Sequence, residues 1–157
     1  MSGVAIAEAQ WPRDRDAVLA LFHEYVDGLG LDLSFQGVDE EFATLPGKYA
    51  RPKGLVLLAR SESGDAIGTV AYRPLAPGDC EMKRLYIRPD WRGRGAGRLL
   101  CDRLLDEART AGYRRMLLDT GDWLVPALTL YRALGFADVP PYYHNPIQGT
   151  VYMARAL

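Results

Sequence analysis

One stretch, Glu81 to Gly112 (EMKRLYIRPDWRGRGAGRLLCDRLLDEARTAG), constrains the rest of the chain, because it reads as strand, glycine-rich turn and helix in immediate succession. Glu81 to Ile87 sets Met82, Leu85, Tyr86 and Ile87 among charged residues, and Pro89, which has no N–H for a sheet ladder, closes the strand. From Gly97 onward Leu100, Cys101, Leu104, Leu105, Ala108 and Ala111 recur at three- and four-residue spacing. That is the period of a helix with one buried stripe, and Gly112 supplies a left-handed stop. A strand feeding such a helix is the first half of a crossover, so Arg115 to Asp119 is expected to return as a parallel strand.

The turn carries the chemistry. Gly93, Gly95 and Gly97 leave backbone N–H groups unshielded at a helix N-terminus, where orphan donors and the positive end of the helix dipole attract an anion. Arg92, Arg94 and Arg98 add charge that suits phosphate oxygens. A turn that merely joins strand to helix needs one glycine and no arginines. The dinucleotide pattern G-x-G-x-x-G fails, since its last position is Arg98, and no Gly-Lys-Ser/Thr exists for a Walker loop. The pattern that fits is R-x-x-G-x-G at Arg92, Gly95 and Gly97, after a strand ending Ile87-Arg88-Pro89. It resembles the coenzyme A pyrophosphate loop of the GNAT superfamily of acyl-CoA-dependent N-acetyltransferases. The resemblance implies acetyl-CoA as co-substrate, bound through Arg92, Gly93, Arg94, Gly95, Ala96, Gly97 and Arg98.

Composition narrows the partners. The 157 residues suit one domain, residues 1–157, with a substantial core. The net charge of −1 hides a division: residues 83–115 hold ten Lys/Arg against four Asp/Glu, residues 1–82 seven against thirteen. A nucleic-acid binder could have the same basic helix, and would show steep salt dependence on DNA. Single-strand binders, however, interleave charge with stacking aromatics, and only Tyr86 and Trp91 are near, so a small acidic ligand is the better expectation. Cys80 and Cys101 lack metal-ligand spacing and read as reduced core thiols, so no metal is expected. Without an apolar run of ~18 residues or a signal-like start, the chain is expected to be cytoplasmic and free of membrane. A homodimer is left open.

In order, Val4 to Ala9 reads as a strand, then a helix with Asp14 or Asp16 as cap runs to Gly28 or Gly30. Residues 31–50 hold a short helix around Asp39 to Leu45 between loops, either an acceptor-pocket wall or a lid over the sheet. Gly54 to Ala59 and Ala66 to Arg73 form a hairpin leading into the central strand. After Arg115 to Asp119, a helix spans Pro126 to Leu134, and strands cover 136–143 and 150–156. The order β-α-α-β-β-β-α-β-α-β-β implies an α/β protein with a central mixed, mostly antiparallel sheet and helices on both faces. That is the order of the GNAT fold.

Ala127 to Phe136 (ALTLYRALGF) resembles the superfamily's second motif, A-x-x-L-Y-x-x-x-G-F. The two motifs extend the resemblance over roughly residues 54–157. It implies that Tyr131 lies near the coenzyme sulfur as general acid, a phenol hydrogen-bonded to the departing thiolate. A tyrosine simply packed with Leu128 and Leu134 would look the same. The backbone of Leu85, Tyr86 and Ile87 would pair with the pantetheine amides like an added strand. Relatives often carry Asn three residues before the motif's Ala, touching the pantetheine arm, whereas this chain has Leu124.

The resemblance makes Glu81 the candidate base that deprotonates the amine, directly or through water, although it could equally form a solvated ion pair with Lys83 or Arg84. His144, in the proline-stiffened loop PPYYHNP, is the alternative. The implied activity is acetyl transfer to a primary amine by direct attack in a ternary complex. Alternatives are a catalytically weak CoA-binding sensor and an acetyltransferase for protein amines. Residues 31–50 and 140–149 combine aromatics (Phe35, Phe42, Tyr49, Tyr142, Tyr143) with polar groups (Gln36, Glu40, His144, Asn145), which suits a pocket for a small amine. The acidic first half suits a cationic acceptor.

Overall fold

The computed structural model describes residues 3–157. Seven strands form one sheet in the order β1-β2-β3-β4-β5-β7-β6. They are β1 Val4–Glu8, β2 Leu55–Ser61, β3 Ala66–Ala76, β4 Asp79–Ile87, β5 Arg115–Gly121, β6 Ala137–Asp138 and β7 Thr150–Ala156. Every neighbouring pair is antiparallel except β4 and β5, which run parallel as the crossover requires. The helices are α1 Arg15–Leu29, α2 Val38–Ala43, α3 Ala96–Thr110 and α4 Val125–Ala133. The observed order of elements is the expected one.

The uninterrupted apolar run of β2 has a direct cause: both faces of the sheet are covered. Leu55, Leu57 and Ala59 pack in one cluster with Leu100, Leu104 and Ala108 of α3 and Leu128 of α4. Val56 and Leu58 pack in the other with Val18, Leu21 and Phe22 of α1 and Phe42 of α2. Leu21, Phe22, Leu100 and Leu104 are fully buried. At about 1.5–3 kcal/mol for each such side chain, these two layers supply most of the drive to fold.

Three local expectations change. Asp14 sits at the N-cap of α1, but its carboxylate bonds no helix N–H. It accepts instead from Gln10 N–H at 2.7 Å and Arg60 at 2.9 Å, and the adjacent Arg13 guanidinium holds it below the usual carboxylate range. The strand expected over 136–143 shrinks to Ala137–Asp138, since Pro140 and Pro141 have no N–H to continue a ladder. Residues 31–50 hold a helix shorter than expected, flanked by single 3-10 turns at Ser34–Gln36 and Gly47–Tyr49.

The feature that opens the sheet lies in β4. Thr69 pairs with Tyr86 and Ala71 with Lys83, so one β3 residue faces two on β4, Arg84 and Leu85. Arg84 takes φ 64°, a left-handed bulge position that is costly for a residue with a Cβ. Its side chain, 2% exposed, is held by a two-point fork to Glu41 of α2, Nε to Oε2 at 2.9 Å and the second nitrogen to Oε1 at 3.0 Å. β4 pairs with β5 only at Asp79, Cys80 and Glu81, so the two strands part from Met82 onward.

Removing one partner of a buried ion pair leaves the other uncompensated. Glu41→Ala should therefore cost about 3–5 kcal/mol, a loss of roughly 6–20 °C in melting temperature for a chain of this size. Glu41→Leu combined with Arg84→Met should recover much of that loss, because an apolar pair needs no desolvation. Thermal unfolding of the three chains checks both expectations, and a Glu41→Ala melt indistinguishable from wild type would contradict the fork's role.

Candidate active-site cleft

Where β4 and β5 part, a cavity of ≈ 590 Å³ opens, lined from both faces of the sheet. On the α3–α4 side it meets Met82, Leu118, Gly97, Leu130 and Tyr131. On the α1–α2 side it meets Tyr25, Leu29, Leu33, Gln36, Lys83 and Asp119. Pairing explains the division. Lys83 and Asp119 each lie two residues beyond the last matched pair, Glu81 and Leu117, and so share their face.

At one end of the cavity lies the start of α3. Gly93 and Gly95 have φ 76° and 85°, with nothing within 4 Å of where a Cβ would stand. Leu99 is the first residue to close onto the helix, through Gly95 O at 3.1 Å. The N–H groups of Ala96, Gly97 and Arg98 have no backbone acceptor among the described residues. Arg92 donates from Nε to Ile87 O at 2.8 Å and lies over the Tyr86 ring; Arg94 stacks on Trp91 at 4.7 Å. Arg98 reaches Asp102 at 3.4 Å, both side chains half exposed. Open N–H groups, glycines that leave room, and cations around them fit the pyrophosphate of acetyl-CoA. Arg92, Gly93, Gly95, Ala96, Gly97 and Arg98 line the cavity, as do Leu85, Tyr86 and Ile87 of the β4 edge that β5 leaves unpaired. Arg94 does not line it. Leu124 lines the wall with an apolar side chain, so the amide contact expected of Asn is absent there.

Tyr131 is buried, packs its ring edge-on against Phe136 at 5.9 Å, and faces the cavity. Its hydroxyl makes no hydrogen bond among the described residues, and burial pushes its pKa well above the ordinary phenol value. It is therefore a neutral donor in search of an acceptor.

The two candidate bases lie elsewhere. Glu81 is not a solvated ion-pair partner: it is 2% exposed and does not line the cavity. Tyr142 donates to its Oε2 at 2.5 Å and Arg73 to its Oε1 at 3.2 Å. His144 is exposed and lines a separate, shallower hollow with Tyr142 and Tyr143. Of the residues expected to frame an acceptor pocket, only Gln36 and Asn145 reach the main cavity; Phe42 and Tyr49 are core. Three acids of the first half pair with arginines beyond it, Glu41 with Arg84, Glu24 with Arg88 and Asp79 with Arg115, and among the described residues no acid of the first half lines the cavity. The acidic surplus does not make the cavity a cation trap.

Sequence reasoning missed Asp119 and Lys83. Asp119 Oδ2 accepts from the Tyr143 hydroxyl and from Asn145 Nδ2 at 2.9 Å, while Oδ1 has no donor among the described residues. Lys83 has a side chain 4% exposed and Glu81 Oε2 at 3.9 Å as its nearest anion; desolvation lowers its pKa. The available signal was pleat register: a carboxylate closing the apolar run of β5, in line with a lysine on β4.

Neither cysteine competes as a nucleophile. Cys80 and Cys101 are fully buried, and burial pushes both thiols up to about 12. At pH 8 the thiolate fraction is on the order of one in ten thousand. Iodoacetamide should leave both unmodified in the native protein and alkylate both in urea, as read by intact mass; rapid native labelling would contradict the burial.

The comparisons agree with the geometry. The family model described as Acetyltransferase (GNAT) family matches residues 18–136. An uncharacterized N-acetyltransferase of Schizosaccharomyces pombe is 46% identical, over 97% of this chain and 94% of its own. An IAA acetyltransferase of Azospirillum brasilense is 40% identical, over 69% and 71%. Among solved structures, an acetyltransferase of Streptococcus agalactiae superposes with TM-score 0.80 at 20% identity, covering all of both chains. The PaiA N-acetyltransferase of Thermoplasma acidophilum in complex with coenzyme A superposes with TM-score 0.76 at 16% identity, over 98% and 99%. These last two share the fold. With a family model over most of its length and a relative 46% identical along nearly all of it, the chain belongs to the GNAT family of acetyltransferases.

Proposed function

We propose that this N-acetyltransferase moves an acetyl group from acetyl-CoA to the primary amine of a small acceptor by direct attack in a ternary complex. The supporting observation is the single cavity lined from both faces of the sheet, with an anion-binding helix start at one end and a mixed polar and apolar wall at the other. Bound acetyl-CoA supplies the activated acetyl group and a thiol leaving group. The Arg92–Arg98 turn holds its pyrophosphate, and the free β4 edge at Leu85, Tyr86 and Ile87 aligns its pantetheine amides. The enclosing wall brings both reactants together out of water, the main source of rate for a reaction between bound partners.

Tyr131 hydrogen-bonds the departing sulfur. Its raised pKa argues against full proton transfer, since a thiolate of pKa about 8.5 is the weaker base, and favours a hydrogen bond strongest in the transition state. For the amine proton, Asp119 is the carboxylate that faces the cavity with an oxygen that has no donor among the described residues, and Glu81 acts behind it by orienting Lys83 and Tyr142.

Four outcomes are expected. Acetyl-CoA at one hundred times its dissociation constant should raise the melting temperature by about 5–11 °C, from a stabilisation of about 2.7 kcal/mol. Gly97→Asp should abolish that shift with little cost to the apo protein, because its Cβ meets Leu130 only at 3.5 Å and a carboxylate suits a helix N-terminus. Tyr131→Phe should lower kcat by roughly 10- to 100-fold with little change in acetyl-CoA affinity. Asp119→Asn should lower kcat/KM by about 10²- to 10⁴-fold in a thiol-release assay across an amine panel. An equal loss in His144→Ala, with Asp119→Asn active, would move the base to the loop. No melting shift with millimolar acetyl-CoA would overturn the reading.

A further inference from the structure

The acceptor wall contains more charge than it shows. Arg84 is neutralised by Glu41 at 2.9 and 3.0 Å and capped by Gln36 Oε1 at 3.2 Å. Arg73 and Glu81 pair at 3.2 Å, and Arg73 also reaches Glu41 at 3.7 Å. Among the described residues of this wall, two charged groups keep atoms without a hydrogen-bond partner, and each lies in the other's field. Asp119 offers Oδ1. Lys83 offers an ammonium with no hydrogen-bond acceptor among the described residues, and Glu81, its nearest anion at 3.9 Å, is already taken by Tyr142 and Arg73.

A lysine more than nine-tenths buried is costly unless something compensates it. Here it lines the cavity from one strand, while Asp119 lines it from the next, each two residues beyond the last matched pair. Around them the wall sets apolar Leu29, Leu31, Leu33 and Ile147 beside Gln36 and Asn145, whose amides are engaged with Arg84, Tyr143 and Asp119. A guest complementary to that set carries an anion for Lys83, an amine for Asp119 and an apolar body for the leucines. A polyamine or aminoglycoside would instead set a second cation against Lys83 without an anion to receive it.

We propose that the acceptor is an amine that also bears a carboxylate, of the class of apolar α-amino acids, with Lys83 as the specificity residue that binds the carboxylate. This rests on the acetyltransferase reading above and narrows it. A charge-assisted hydrogen bond in a desolvated site should discriminate a carboxylate from its neutral amide by at least tenfold.

The test compares leucine, methionine and phenylalanine with their primary amides in the thiol-release assay. In parallel it measures binding of N-acetyl-leucine and N-acetyl-leucinamide to the CoA-bound protein by titration calorimetry. The expected result is kcat/KM at least tenfold higher for the acids and tighter binding of N-acetyl-leucine than of its amide. Lys83→Met should bring both ratios to within about twofold of one, mainly through KM, while retaining the acetyl-CoA melting shift that reports a folded cleft. Equal use of acids and amides by the wild type, or a preference that survives in Lys83→Met, would overturn the proposal and leave the acetyltransferase reading standing. Thiol release from no amine, with N-acetyl-leucine still preferred over its amide, would overturn that reading and uphold the carboxylate site.

Discussion

The molecule depends on one locked irregularity. A left-handed arginine in the middle of a strand has an energetic cost of order 1–3 kcal/mol, and it persists only where surroundings over-determine it. At Arg84 those surroundings are a buried two-point fork to Glu41, a contact with Gln36, and the ring of Tyr25 5.8 Å from the guanidinium. The bulge has two effects. It lets two successive residues, Lys83 and Arg84, serve the α1–α2 face, and it lies where β4 turns away from β5. Without the parting of those strands the sheet would be a continuous wall between its two apolar layers.

Because the sheet opens there, its faces can be specialised separately. The α3–α4 face holds the helix start, whose first N–H groups have no backbone acceptor among the described residues, and the tyrosine whose hydroxyl has no partner among them. The α1–α2 face holds paired charges that fix the segment around α2 and the 140–149 loop to the strands, through Gln36 to Tyr143, Tyr143 to Asp119 and Tyr142 to Glu81. Those contacts tie the wall together, and among its described charged residues Lys83 and Asp119 keep polar atoms with no hydrogen-bond partner. The same arrangement leaves Glu81 out of the cavity, its two oxygens taken by Tyr142 and Arg73.

Much of this was legible in the chain. The glycine spacing and the strand–turn–helix order pointed to the helix start with open N–H groups that the structure has, because each is a local requirement of backbone geometry. The motif around Tyr131 did the same for α4. What the sequence hid depends on register and on pairing at a distance. Nothing near Glu81 in sequence reports that Tyr142, sixty-one residues on, covers it. The excess of acids before residue 83 looked like a field for a cation, yet among the described residues none of those acids lines the cavity. The aromatic residues of 140–149 read as pocket wall, yet Tyr142 and Tyr143 turn their hydroxyls to Glu81 and Asp119 and leave the main cavity to Asn145 and Ile147.

The central claim is that both reactants occupy this cavity together and that the acetyl group passes directly between them, with no group on the protein to carry it. Initial-rate kinetics with acetyl-CoA and the best amine acceptor varied against each other test it most directly. A ternary complex predicts double-reciprocal lines that intersect. Parallel lines, the signature of an acetyl group held covalently on the protein before the acceptor binds, would contradict the account.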